Sequence, residues 1–199
     1  MLDSYDLPTV RERLARHPHG PLEAETEGRM AAVAAILRDG HDGEDAEILL
    51  IRRAERARDP WSGHMAFPGG RRESVDRTIV DTAIRETREE VGLDLAAHGT
   101  VLHRLPNRAA TARGKITDLT VAAFVFELPR AETTLTSNGE VAEAIWTPLG
   151  PLARGETVTT FEYVHEDTVL TFPGYRVGER VVWGLTWRML QALFTVLHA

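Results

Sequence analysis

The chain has 199 residues, 43% of them hydrophobic and 27% charged, with a formal net charge of −7. That length supports one well-buried core and leaves two full domains cramped. The absence of cysteine excludes disulfides and thiol catalysis. The acidic balance argues against broad binding to nucleic acid, and no run of about eighteen apolar residues offers a membrane span.

The opening Met1-Leu2-Asp3-Ser4-Tyr5-Asp6 lacks the basic start and apolar run of a signal peptide, so a cytoplasmic location is expected. Residues 1–28 read as an appendage, with a short helix over Thr9–Arg16 ended near Pro18 and Gly20. Met30 to Leu37 is an apolar run of strand length, Asp39 to Asp45 a turn, and Ala46 to Ile51 the next strand. A charged stretch follows, then Asp59-Pro60-Trp61-Ser62-Gly63 as an ordered loop, with His64 to Phe67 leading into Pro68-Gly69-Gly70. The pattern predicts a helix from near Thr78 to Val91, with Ile79, Val80, Ala83 and Ile84 facing the core. Strands are expected at Val101–Leu105, at Leu119–Phe126 in the middle of a sheet, and at Ala142–Trp146. Phe161–Val164 and Val169–Phe172 suggest a hairpin across His165-Glu166-Asp167. Trp183 to Leu197 reads as a closing helix with Leu185, Met189, Leu193 and Val196 on one side.

The densest chemistry lies at the predicted 78–91 helix. Glu86, Glu89 and Glu90 fall within about one turn, where residues three and four apart share a face. Like charges at that spacing cost roughly 0.2–0.5 kcal/mol per pair. A hard divalent cation turns the repulsion into a site, because Mg²⁺ prefers carboxylate oxygens and commonly meets substrate phosphates. Gly69 and Gly70 ahead of the helix let backbone approach an ion or ligand closely.

The string from Gly70 to Leu93 resembles the Nudix box, G-x5-E-x7-R-E-U-x-E-E-x-G-U, where U is aliphatic. Arg85, Glu86, Glu89, Glu90, Gly92 and Leu93 match, and Thr87 stands where an aliphatic is usual. From Gly70, five residues lead to Asp76 instead of Glu, and eight residues instead of seven then separate Asp76 from Arg85. One extra loop residue explains both gaps, and the coenzyme A branch of the family often has that longer loop. Upstream, Leu49, Leu50, Ala54, Arg58, Gly63 and Phe67 to Gly70 resemble the motif of Nudix coenzyme A pyrophosphatases, although Ile51 and Arg53 replace its threonines. Val182-Trp183-Gly184-Leu185-Thr186 is similar to the start of that group's C-terminal helix.

The resemblance implies an α/β chain with the Nudix fold, an α/β/α sandwich around a mixed sheet, over residues 29–199. It implies that Glu86, Glu89 and Glu90, with the Gly70 carbonyl, hold Mg²⁺ or Mn²⁺, and that Arg85 orients the carboxylates. Glu140, after Gly139, is the candidate general base. Arg52, Arg53, Arg58 and Arg71 are candidate phosphate binders, because an arginine fork meets phosphate oxygens in pairs. Phe67 and Trp61 either stack on a base or pack the loop.

The function this implies is metal-dependent hydrolysis of the pyrophosphate of coenzyme A or acyl-coenzyme A. The expected partner is a small nucleotide substrate, with no nucleic acid and no membrane, and a homodimer is compatible with the reading. The nearest alternative is a Nudix hydrolase for another nucleoside diphosphate derivative, such as ADP-ribose, or for a nucleoside triphosphate. A catalytically silent nucleotide-sensing domain is a further alternative; such domains commonly lose the acids that Glu86, Glu89 and Glu90 retain here.

Overall fold

A computed structural model of the chain describes residues 4–19, 28–57, 59–112, 115–165 and 168–199. In chain order the elements are α1 (Leu7–Arg16), β1 (Arg29–Arg38), β2 (Glu47–Arg53), β3 (Met65–Ala66), β4 (Gly69–Arg71), α2 (Ile79–Val91), α3 (Leu95–His98), β5 (Thr100–Ala112), β6 (Lys115–Glu127), β7 (Val141–Pro148), α4 (Leu149–Ala153), β8 (Val158–His165), β9 (Thr168–Val177), β10 (Arg180–Trp183) and α5 (Gly184–His198).

The two most apolar runs lie side by side: β1 and β6 pair in parallel from Arg29–Leu119 to Leu37–Glu127. All other pairings in their sheet are antiparallel, so the sheet is mixed, with the order β3-β2-β1-β6-β5 and with β4 on β1 and β7 on β2. A strand alternates its side chains between two faces. Ala31, Ala35, Leu37, Ile48, Leu50, Val121, Ala123 and Val125 therefore build one core layer with α1 and α5, while Ala32, Ala34, Ile36, Leu49, Ile51, Phe124 and Phe126 build the other beneath α2. Both faces of the sheet are covered by helices, and the architecture is the expected α/β/α sandwich. Strands β8, β9 and β10 form a separate antiparallel sheet.

The feature that positions the site is a split in the main sheet. β1 and β2 pair only at Leu37–Ile48 and Arg38–Glu47. Beyond that, β1 continues against β4, through Ala32–Gly70, and β2 continues against β3, through Ile51–Ala66.

The expected strands and the closing helix are present, most of them longer than expected. The pairs β3–β2 and β4–β1, strand β10 and helices α3 and α4 had no counterpart in the sequence reading. The segment expected as an appendage sends Tyr5, Leu7, Val10 and Leu14 into the core, where α1 packs on α5 and β5. Gly20, Arg58 and the Glu166-Asp167 turn lie outside the described residues.

Candidate active site

Helix α2 is fixed at both ends by its own sequence. The Thr78 hydroxyl accepts from the Asp81 N–H and the Asp81 carboxylate accepts from the Thr78 N–H, a reciprocal cap. At the other end Gly92 takes φ 74°, a left-handed conformation that glycine adopts without cost from a side chain. Ile79, Ala83 and Val91 bury one stripe, and Val80 and Ile84 pack at its margin. That docking aims Glu86 and Glu90 toward the sheet and leaves the Glu89 side chain 56% exposed.

Arg85 organises the charges around α2. It donates from Nε and Nη2 to Asp76, from Nη1 to Glu86 at 2.9 Å and to Glu89 at 3.2 Å, and from Nη2 to the Arg71 carbonyl at 3.0 Å. The carboxylates hold its pKa above the ordinary arginine value. Burial alone would raise Asp76, but hydrogen bonds from Arg85, the Glu73 N–H and Thr82 overcome it and hold Asp76 below the usual carboxylate range.

Glu86 and Glu90 face a cavity of about 750 Å³ lined by residues from both sides of the sheet split. Glu90 is 2% exposed, and its Oε2 accepts from the Gly69 N–H at 2.8 Å. Burial, reinforced by the charges of Glu86 and Glu140, raises Glu90 to about 7 against the pull of that N–H and of Arg53. Burial also raises Glu86, with Arg85 opposing and Glu89 and Glu140 adding to the rise. A Cβ on Gly70 would stand 2.5 Å from the Glu86 carboxyl carbon, so only glycine lets that carboxylate lie against the strand.

The donor set fits a hard divalent cation: Glu86 and Glu90 offer oxygen only, and the Glu86 charge adds to the rise at Glu90. Among the described residues, however, no three histidine, aspartate or glutamate groups form a ready cluster. Glu89, expected as the third ligand, lies outside the cavity lining and meets Arg85 at 3.2 Å from the exposed side of α2.

Of the other expected residues, Arg53, Phe67, Gly70, Arg71 and Glu140 line the cavity. Arg53 spends Nη2 on Asp59 at 3.0 Å, while its Nε is buried with no hydrogen-bond partner among the described residues. Phe67 is 2% exposed and packs in the core, so it offers no free face for stacking. Glu140 is paired with Arg56 at 3.0 Å. Arg52 is not brought to the cavity; it turns to Glu143 at 3.6 Å and Glu55 at 4.0 Å. Arg58 is outside the described residues.

An aromatic wall on the same cavity escaped the sequence reading. Trp183 stacks on Phe161 at 4.4 Å between ring centres, with His64 at 4.6 Å, Phe172 at 5.3 Å and Tyr163 at 5.6 Å. His64, Tyr163, Phe172 and Trp183 all line the cavity beside Trp61, whose Nε1 donates to the Thr111 carbonyl at 2.9 Å. Burial pushes the His64 imidazole below its ordinary pKa. The available signal was Trp183 itself, just ahead of the closing helix.

Comparison with known proteins gives the same family that the motif suggested. The pattern of the NUDIX domain matches residues 28–166. Nudix hydrolase 22, chloroplastic, of Arabidopsis thaliana is 28% identical over 174 residues, covering 85% of this chain and 56% of that protein. A 46-residue stretch is 44% identical to the human mitochondrial coenzyme A diphosphatase NUDT8, covering 23% of this chain and 20% of that one. The solved structure of a MutT/nudix family protein from Enterococcus faecalis superposes with a TM-score of 0.56 at 15% identity, over 96% of this chain and 67% of that one, which shows the shared fold. The chain spans between 36% and 56% of the length of the first curated relatives it matches. Two of these relatives carry chloroplast and mitochondrial names, so family likeness does not assign the cytoplasm. Among the described residues no helix is long and apolar enough to cross a membrane.

Proposed function

The chain belongs to the Nudix family, and on that premise we propose that it hydrolyses the pyrophosphate linkage of coenzyme A or acyl-coenzyme A. The products are 3′,5′-ADP and 4′-phosphopantetheine or its acylated form. The observation that carries this reading is one cavity shared by two unlike linings: Glu86, Glu90, Glu140 and Arg53 for the phosphates, and Trp61, Tyr163, Phe172 and Trp183 for the organic groups. Its volume of about 750 Å³ suits a ligand of that class. The upstream motif and the short likeness to a coenzyme A diphosphatase support the substrate.

Glu86 and Glu90, with the Gly70 carbonyl, would hold the divalent cation, Mg²⁺ or Mn²⁺. Half-exposed Glu89 joins them by turning away from Arg85. When bound, the cation offsets charge that develops on the phosphates. Arg85 keeps the Glu86 carboxylate in place from Nη1. Arg53 donates its unused Nε to a phosphate oxygen. Glu140, released from Arg56, takes the proton of the water that attacks phosphorus as the bridging P–O bond breaks.

The test is a screen of purified protein with Mg²⁺ and Mn²⁺ against coenzyme A, acyl-coenzyme A, dephospho-coenzyme A, ADP-ribose, NADH and nucleoside triphosphates, with products identified by mass. Coenzyme A or its thioesters should give the highest kcat/KM. Preference for ADP-ribose or a triphosphate overturns the substrate, and undiminished turnover in excess chelator overturns the cation.

A further inference from the structure

A second cavity of about 420 Å³ adjoins the first. Arg29 and Met30 at the start of β1, Arg71, Arg72 and Ser74 at the end of β4 and its loop, and Leu119 of β6 line it. Arg71 and Leu119 also line the main cavity, so the second continues the first.

Strand register explains why arginines gather there. Ala31 of β1 stands opposite Arg71, and Arg29, two residues earlier, stands opposite Leu119. Residues two apart in a strand, and residues directly opposite across a pair, point to the same face. Arg29, Arg71 and Leu119 therefore share one side of the sheet.

Most of the other charges in this region are committed. Asp76 is gripped by Arg85 at 2.8 and 3.0 Å. Asp118 pairs with Arg29 at 3.2 Å in an exposed bridge. Arg72 donates to the carbonyls of Asp76 and Arg77 at 3.3 and 3.2 Å. Arg71 is exposed, and among the described residues its guanidinium has no ion pair. Glu73 at the rim is the opposing carboxylate.

We propose that the second cavity is a subsite for a phosphate monoester carried by the substrate, with Arg71 as its first donor and Arg29 as its second. The proposal rests on the coenzyme A reading, whose substrate bears such a group on the ribose beside the pyrophosphate. A guanidinium presents paired donors that match phosphate oxygens, and Arg71 reaches that group from the boundary between the two cavities.

Calorimetric titration of the full chain with 3′,5′-ADP, 5′-AMP and inorganic phosphate tests the subsite without turnover. 3′,5′-ADP should bind about tenfold tighter than 5′-AMP, as expected for a charge-assisted contact. Arg71→Ala should collapse that ratio toward one, and Arg29→Gln, which touches only the second cavity, should reduce it. Inorganic phosphate should compete with 3′,5′-ADP more strongly than with 5′-AMP. Equal affinity for the two nucleotides, or a ratio unchanged in both variants, overturns the subsite. Equal competition by phosphate against both nucleotides also overturns it, by moving the anion into the main cavity. A chain that fails to hydrolyse coenzyme A yet keeps the Arg71-dependent ratio upholds the subsite and removes only the substrate.

Discussion

Arg85 grips Asp76 with two nitrogens, Nε on Oδ1 at 2.8 Å and Nη2 on Oδ2 at 3.0 Å. Asp76 stands near the place of the first box glutamate, and one extra loop residue separates it from Arg85. The longer loop still brings the acid home, because the Glu73 N–H and the Thr82 hydroxyl bind the same carboxylate at 2.8 and 3.0 Å. Through Arg85, Asp76 thus sets the direction of Glu86 and Glu89 without lining the main cavity.

Asp76→Ala should therefore cost stability as well as activity. It leaves a largely buried guanidinium short of its best partner, a loss on the order of 3 kcal/mol, readable by denaturant unfolding. The sign with pH follows from the lowered pKa of Asp76. Its contribution is complete above the ordinary value of about 3.9 and is lost as pH falls through the lowered value. A fully stable Asp76→Ala protein would show that the Asp76–Arg85 pair does not hold the fold.

Glu90 should behave in the opposite way. Its pKa of about 7 means the folded chain keeps a proton that the unfolded chain has released. Stability should fall as pH climbs from about 4.3, the unfolded carboxylate value, toward that raised value. Without divalent cation, Glu90→Gln should then melt higher than the parent at pH 8 and near it at pH 5, since its amide oxygen can still accept from Gly69. In the same variant kcat should drop by on the order of 10²-fold or more, as the proposed role of Glu90 in holding the cation requires. Equal melting at pH 8 would show that Glu90 carries no buried charge.

Arg53 and Arg52 should separate cleanly despite being neighbours. Arg53→Lys keeps the charge but loses the fork and the unused Nε, so KM for the nucleotide substrate should rise by about tenfold. Arg52→Lys should change KM little, since Arg52 faces Glu143 and Glu55 away from the cavity. Steady-state kinetics on both variants check this, and the reverse order would move the phosphate to the other face of β2.

Glu140→Gln should lower kcat by about 10²–10⁴-fold, the usual worth of a general base, with metal affinity kept. Glu143→Gln should be mild, because Glu143 sits on β7 against Arg52 and Arg180 at 3.6 and 3.7 Å. A silent Glu140 with a strong Glu143 effect would transfer the role of base to Glu143. Loss of cation affinity in Glu140→Gln would make that residue a ligand.

The parts of this molecule that read directly from sequence are those carried by contiguous chain. Thr78, Asp81 and Gly92 bracket α2, and the spacing of Ile79, Ala83 and Val91 turns Glu86 and Glu90 inward. Strands β1 and β6 announced themselves by apolar runs. The short strands β3 and β4 did not, because Met65-Ala66 and Gly69-Gly70-Arg71 are too brief for any period to show. The aromatic wall draws on residues 64, 161, 163, 172 and 183, which only the tertiary fold assembles. Arg52 and Arg53 are different: the strand expected to end at Ile51 runs on to Arg53, so the two neighbours point to opposite faces and only Arg53 lines the cavity. The burial of α1 was likewise written in the spacing of Leu7, Val10 and Leu14.

The Tyr5 hydroxyl and His198 Nε2 share a hydrogen bond of 2.7 Å, with their rings edge to face at 6.1 Å. His198 closes α5, whose first turns supply Gly184, Leu185, Thr186 and Met189 to the cavity, with Thr186 tied to the Met65 carbonyl at 3.1 Å. The N-terminal helix is thus a strut behind the back wall of the cavity. One end of α5 walls the cavity while its other end is held by Tyr5 and α1, so a single helix joins the N-terminal segment to the site.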